Sequence, residues 1–348
     1  MTRNDSVGDG RVGGVSADDS DGVSADDSGG MSADDSAVAS RAASSIPSYR
    51  ELPELGDLGV RHSRGVLPPA EGTLSFIARA GVVAAAQTVS AGIPIPLNLA
   101  VDAFDPPLFG RAPLTHRVIE ASRNDAEDIV DAFNPQASSQ LDGLAHVRAR
   151  EHGYYDGSTD LASAGDALGM QHWATRGIVA RGVLLDLPRY WAARGRPVDP
   201  FEGIGITPDD LESVAAAQGV DLQPGDVLLV RTEWAARYLE SPAAKRAAVA
   251  GWTGLVASEE MAEFLWNRRV ALVGSDNPAV ENGPGDPAIG SLHRRLLPSL
   301  GLSLFELLDL EVLAERCAEL GRWQFLFVSV PLNLHGAVSS PANAMAVL

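Results

Sequence analysis

Asp142 and His146 stand four residues apart in the polar stretch QASSQLDGLAH, residues 136–146. A carboxylate and an imidazole at that separation share a face if the segment is helical. Gly143 and the neighbouring serines make a loop, or a loop–helix junction, an equal alternative. Such a pair can ligate a divalent metal, pass protons near neutral pH, or simply satisfy a turn. Other residues of suitable type lie further along the chain. His293 precedes RRLL, and Glu306 sits in the apolar run LSLFELLDL (302–310), where a buried carboxylate needs a partner. Arg231 and Trp234 close the segment LQPGDVLLVRTEW (222–234). There an arginine can hold a substrate carboxylate and a tryptophan can stack on a ring, or both can serve an ordinary strand end.

The elements that must position these residues alternate between helix and strand. HRVIEA (116–121), the VLLDL part of 177–191, LQPGDVLLV, VALVGSD (270–276) and RWQFLFVSVPLNL (322–334) read as strands. GTLSFIARAGVVAAAQTV (72–89) reads as a turn or helix leading into a strand, and AGIPIPLN (91–98) as an extended edge because of its prolines. Thr207 with Asp210 opens a helix that Gly219 stops, SEEMAEFLWNRRV (258–270) is a capped helix, and most of 303–321 is expected to be helical. The pattern predicts one compact α/β domain over 46–348 with a mixed sheet.

Composition narrows the function. With 27 Lys and Arg against 46 Asp and Glu, the formal net charge of −19 repels nucleic acid and anionic membrane surfaces. No apolar run reaches the roughly 18 residues of a spanning helix, and the N-terminus lacks the features of a secretory signal. The single cysteine, Cys317, excludes an internal disulfide and fits a cytoplasmic protein. The absence of GxGxxG, GxxxxGK[ST] and G-x-S-x-G argues against a nucleotide cofactor or a serine hydrolase.

Taken together, several segments resemble the cyclase superfamily that includes bacterial kynurenine formamidases and isatin hydrolases. Its hallmark is H-x-x-x-H-x-D-x-x-x-H, against Q-A-S-S-Q-L-D-G-L-A-H here. RGVLLDL (181–187), LQPGDVLLVRTEW, VALVGSD, HRRLLPSLGLSLFELLDLEVLAERC (293–317) and FLFVSVPLNLHGAVSSPANAMAV (325–347) follow in the family's order. The Q-x-D-G-x-x-H form resembles a larger branch of that family. The resemblance implies an α/β swivelling β/β/α fold with a mixed sheet, a homodimer or homotetramer, and a small-molecule substrate. It assigns Asp142, His293 and Glu306 to a divalent metal, Mn2+ or Zn2+, and His146 to proton transfer. Gln136 and Gln140 replace two ligating histidines, and a glutamine oxygen is a weaker zinc ligand than imidazole. Hydrolysis of an amide or cyclic amide is the first expectation. A dehydratase or cyclase acting on a small carbonyl compound, with or without metal, is the second, and a non-catalytic binding protein on the same scaffold is the third.

The chain opens on the eight-residue repeat VSADDSDG, VSADDSGG, MSADDS (15–36), with nine Asp and three Arg through Ser45. This composition buries too little apolar surface to offset its ordering entropy, so residues 1–45 are expected to be a disordered acidic tail. Met31 is an alternative start. Removing 1–45 is predicted to leave the thermal unfolding transition and the activity unchanged; loss of the folded core on truncation would refute this.

Overall fold

The computed structural model describes residues 46–348; the acidic repeat, and the expectation of disorder for it, lie outside the described residues. The thirteen strands are β1 (Pro94–Pro96), β2 (Thr115–Glu120), β3 (Ala126–Asp131), β4 (Gln140–Asp142), β5 (Ile178–Asp186), β6 (Gly205–Ile206), β7 (Val227–Arg231), β8 (Gly254–Leu255), β9 (Leu272–Ser275), β10 (Ser303–Glu306), β11 (Gln324–Ser329), β12 (Ser339–Pro341) and β13 (Ala344–Val347). Nine of them form one mixed sheet in the order β1-β13-β11-β5-β7-β9-β10-β4-β12.

Side-chain pattern explains the layering. Strands β7, β9 and β10 are buried at every position, as strands covered on both faces must be, and they run parallel with β5. Strand β11 alternates between buried and half-buried residues, and it pairs antiparallel with β5 on the outer side. Beyond β10, strands β4 and β12 pair antiparallel and end the sheet. The carboxyl ends of β5, β7, β9 and β10 carry Asp186, Arg231, Ser275 and Glu306, so these polar groups lie at one end of the parallel strands.

Helix Pro208–Gln218 covers β5. Its start is set by the reciprocal Thr207–Asp210 capping box and its end by Gly219 in the left-handed region, φ 67°. Helix Glu259–Asn267 is capped by the Ser258 side chain and buries Met261, Leu265 and Trp266. Among the described residues no helix is long and apolar enough to cross a membrane.

The structure corrects two readings of the sequence. Residues 72–89 contain a 3-10 turn and the helix Arg79–Gln87 but no strand. Within 303–321, Ser303–Glu306 is strand β10, and the helix begins only at Glu311. An apolar run this short fits either element by periodicity. Here β9 and β4 satisfy both backbone edges of the segment, which favours the strand. The acidic stretch after Asp125 contributes β3 of a two-stranded hairpin with β2, an element its charge had concealed.

Candidate metal centre

Register brings the first group of residues together. In the β4–β10 ladder Gln140 pairs with Glu306 and Asp142 with Leu304, so Gln140, Asp142 and Glu306 lie on one face. Asp142 ends β4, and the chain turns at once through Gly143, whose N–H donates to the Val338 carbonyl. A side chain at Gly143 would bring a Cβ within 2.8 Å of that carbonyl oxygen, so the approach requires glycine. The turn closes through the His146 N–H to the Gly143 carbonyl and leaves the imidazole 26% exposed.

His293 enters from the short helix Leu292–Arg295 and lies between two carboxylates. Its Nδ1 is 2.7 Å from Glu281 Oε1, and its Nε2 is 3.0 Å from Glu306 Oε1 and 3.9 Å from Asp142 Oδ2. One ligand atom from each of Asp142, His293 and Glu306 falls within 4.8 Å of the others. His146 Nε2 is 3.7 Å from Asp142 Oδ2. The structure thus brings together the four residues singled out as Asp142, His146, His293 and Glu306.

The glutamines occupy the same space in a different role. Gln136 Nε2 donates to Asp142 Oδ1 at 3.0 Å and lies 3.3 Å from His146 Nε2. Gln140 Nε2 donates to Glu306 Oε2 at 2.7 Å and to Asp142 Oδ1 at 3.2 Å. Both amides are oriented as neutral donors to the carboxylates, which differs from the ligand role considered for them. Two oxygens have no hydrogen-bond partner although buried: Asp142 Oδ2 and Gln140 Oε1.

The charge balance is unfavourable as it stands. Burial, and then the neighbouring Asp142, push the Glu306 carboxyl up to about 7. Burial opposes the charged form of His293, but its bonds to Glu281 and Glu306 outweigh this and hold the imidazolium well above its usual range. Glu281 is also penalised by burial, yet His293 keeps it below the ordinary carboxylate value. Three acids around one imidazole leave an excess of negative charge away from water, a costly arrangement without a further cation or proton. Asp142 Oδ2, aimed into the group without a partner, together with a carboxylate and an imidazole, is a donor set that suits a divalent ion such as manganese or zinc.

Arg231 and Trp234 do not join this group. The Arg231 guanidinium is committed to Asp186, Glu233 and Glu311 at 2.6–2.8 Å. Trp234 is 2% exposed and stacked on Tyr238, with ring centroids 4.6 Å apart. The arginine pairs with buried Asp186 and half-buried Glu233 and Glu311, and the tryptophan fills a core, the arrangement of the ordinary structural alternative. A 680 Å³ cleft lined by Thr207, Val256, Phe264 and Arg268 contains none of the centre's side chains. Asp57, Glu151 and His152 form another three-residue group, but both acids are exposed.

Sequence reading missed Glu281. Its only local signal is an acid inside the Pro- and Gly-rich loop NPAVENGPG, and nothing in that spacing points to His293. The backbone carries more information. Val280 and Leu307, each beside an acid of the centre, have φ of 58° and 53°. A β-branched residue in the left-handed region is a genuine outlier, and such strain costs roughly 1–3 kcal/mol per residue. Buried Asn277 holds the loop by accepting from the Ala279 N–H and donating to the Val280 and Thr253 carbonyls.

Comparison with known proteins gives the family and the fold. A family described as "Putative cyclase" matches residues 87–282, more than half of the chain. The chain belongs to this cyclase family. The match includes Gln136, Gln140, Asp142 and His146 and ends before His293 and Glu306. A crystal structure described as a novel cyclase is 29% identical and superposes with a TM-score of 0.70, covering 80% of this chain and 96% of its own. An isatin hydrolase bound to the product analogue thioisatinate is 17% identical, with a TM-score of 0.53 over 73% of this chain and 92% of its own. Isatin hydrolase A from Ralstonia solanacearum is 15% identical, with a TM-score of 0.54 over 73% and 91%. At those identities the two hydrolases support the fold: α/β, with the mixed, curled sheet of the swivelling β/β/α architecture. No curated protein shows significant similarity to the chain.

If Gln136 and Gln140 face the same ion as Asp142, histidine at both positions is predicted to tighten Zn2+ binding by more than roughly tenfold, the scale on which one supporting contact changes affinity. Calorimetric titration of the double variant checks this; an unchanged Kd would place the two side chains outside the coordination sphere.

Proposed function

We propose that this cyclase-family protein is a metal-dependent hydrolase of an amide or cyclic amide in a small molecule. The reading rests chiefly on the unpartnered, fully buried Asp142 Oδ2 facing His293 and Glu306. Asp142, His293 and Glu306 hold the ion. A divalent ion there supplies Lewis acidity toward a carbonyl and toward water.

The chain's own groups do the rest. His146 is more exposed than Asp142, His293 and Glu306, so it can meet substrate and solvent while touching Asp142 and Gln136. It takes a proton from the attacking water as oxygen adds to the carbonyl carbon. It returns that proton to nitrogen as the C–N bond breaks, so the imidazole ends as it began. Gln136, bonded to Asp142 and close to the imidazole, restrains the ring. Gln140 bridges the two carboxylates through one shared amide nitrogen.

One observation favours a second reading. The glutamine amides already satisfy a lone pair on each carboxylate without any ion, a pattern that suits proton removal beside a carbonyl followed by loss of water. A dehydratase or cyclase therefore stands as the alternative. The Q-x-D-G-x-x-H branch of the family is the natural place for either activity.

His146→Asn is predicted to keep the thermal stability and lower the single-turnover rate by roughly 10²–10⁴-fold. Formamides, cyclic amides and β-hydroxy carbonyl compounds tested in parallel separate hydrolysis from dehydration. Turnover at the wild-type rate in the asparagine variant would remove His146 from the chemistry.

A further inference from the structure

We propose that Glu281 is a positioning residue that commits His293 to bind metal through Nε2. The inference rests on the metal-dependent reading above and adds a residue that neither the family hallmark nor the three ligands contain.

The geometry is specific. Glu281 Oε1 lies 2.7 Å from His293 Nδ1, while His293 Nε2 is the nitrogen turned toward Glu306 and Asp142. A carboxylate on Nδ1 keeps the hydrogen on that nitrogen and leaves the Nε2 lone pair to the ion. It also fixes the plane of the ring. Glu281 is itself held from several sides. Its carboxylate accepts from Ser291 Oγ at 3.1 Å and from the Leu292 N–H, at the start of the helix that carries His293. Its backbone carbonyl accepts from Trp252 Nε1 at 2.9 Å. The preceding Val280 is fully buried with φ of 58°, and Asn277 pins its carbonyl. A valine is held in this strained backbone immediately before the one acid that meets Nδ1. That placement is unlike a chance surface ion pair, whose partners are free to reorient.

The contacts to Ser291 and Leu292 also suit a purely structural role, so the test must separate the two. Mn2+ is titrated calorimetrically into the full chain and its variants, with circular dichroism as a check on folding. Glu281→Ala is predicted to weaken Mn2+ binding roughly 10–100-fold, the usual scale for removing such a partner. Glu281→Gln, whose amide oxygen still accepts from Nδ1 but without charge, is predicted to fall between that variant and wild type. Ser291→Ala loses a contact to Glu281 without touching His293 and is predicted to keep the wild-type Kd.

A folded Glu281→Ala variant with wild-type affinity would overturn the proposal and leave the metal-dependent reading standing. So would a Ser291→Ala variant weakened as much as Glu281→Ala, since that marks a structural effect. Should Glu281→Ala fail to fold, Glu281→Gln decides, and a wild-type Kd there overturns the assignment. A wild-type chain that takes up neither Mn2+ nor Zn2+ overturns both this proposal and the metal-dependent reading.

Discussion

Two acids buried on one face of one β-ladder constrain everything around them. Asp142 and Glu306 are 0% and 2% exposed, and the β4–β10 register prevents either from swinging to the other face. Ionised carboxylates placed so close, out of water, repel one another and forfeit their hydration. The surrounding residues answer that cost. Gln136 and Gln140 direct amide hydrogens at the acids, His293 sits against Glu306, and Arg111 donates to the Gln136 carbonyl while its charge acts on Glu306. Of the carboxylate oxygens of these two acids, Asp142 Oδ2 alone has no hydrogen-bond partner, and the metal-dependent reading grows from it.

The fold meets this constraint by keeping its polar groups at one end of the sheet. The parallel strands β5, β7, β9 and β10 are largely apolar, Arg181 of β5 and Ser303 of β10 excepted, and end in Asp186, Arg231, Ser275 and Glu306. Two of these ends form a separate network. Arg231 binds Asp186 and Glu311, and next to it burial pushes Asp276 up to about 6 although Thr232 and Glu233 donate to it. This neighbouring network is closed on itself: each acid meets a guanidinium, a hydroxyl or a backbone N–H. The centre at Asp142 lacks that closure, which distinguishes a structural cluster from a candidate site within the same sheet.

Asp142, His146, His293 and Glu306 were legible from residue type and family pattern because each lies in a segment with recognisable order. Their convergence was not, since it depends on a strand, β10, whose apolar residues suit a helix equally well until pairing with β9 and β4 decides. Arg231 and Trp234 stayed ambiguous for a related reason. Arg231 ends β7 and Trp234 opens the helix Trp234–Glu240, and only the tertiary partners reveal that one is bound to acids and the other stacked in a core. Glu281 was invisible because it reaches His293 across a left-handed valine, and sequence patterns for helices and strands carry no sign of such a backbone. The orientation of the glutamine amides also had to come from geometry, since an amide can serve as ligand or as donor.

The most direct test of the central claim is a crystal structure of the full chain grown with Mn2+, with anomalous data collected near the metal edge. One strong peak is expected, bounded by Asp142 Oδ2, His293 Nε2 and a Glu306 oxygen, at distances of roughly 2.0–2.2 Å. Ordered, fully ionised ligands with no peak among them, and with His293 still bonded directly to Glu306, would contradict it.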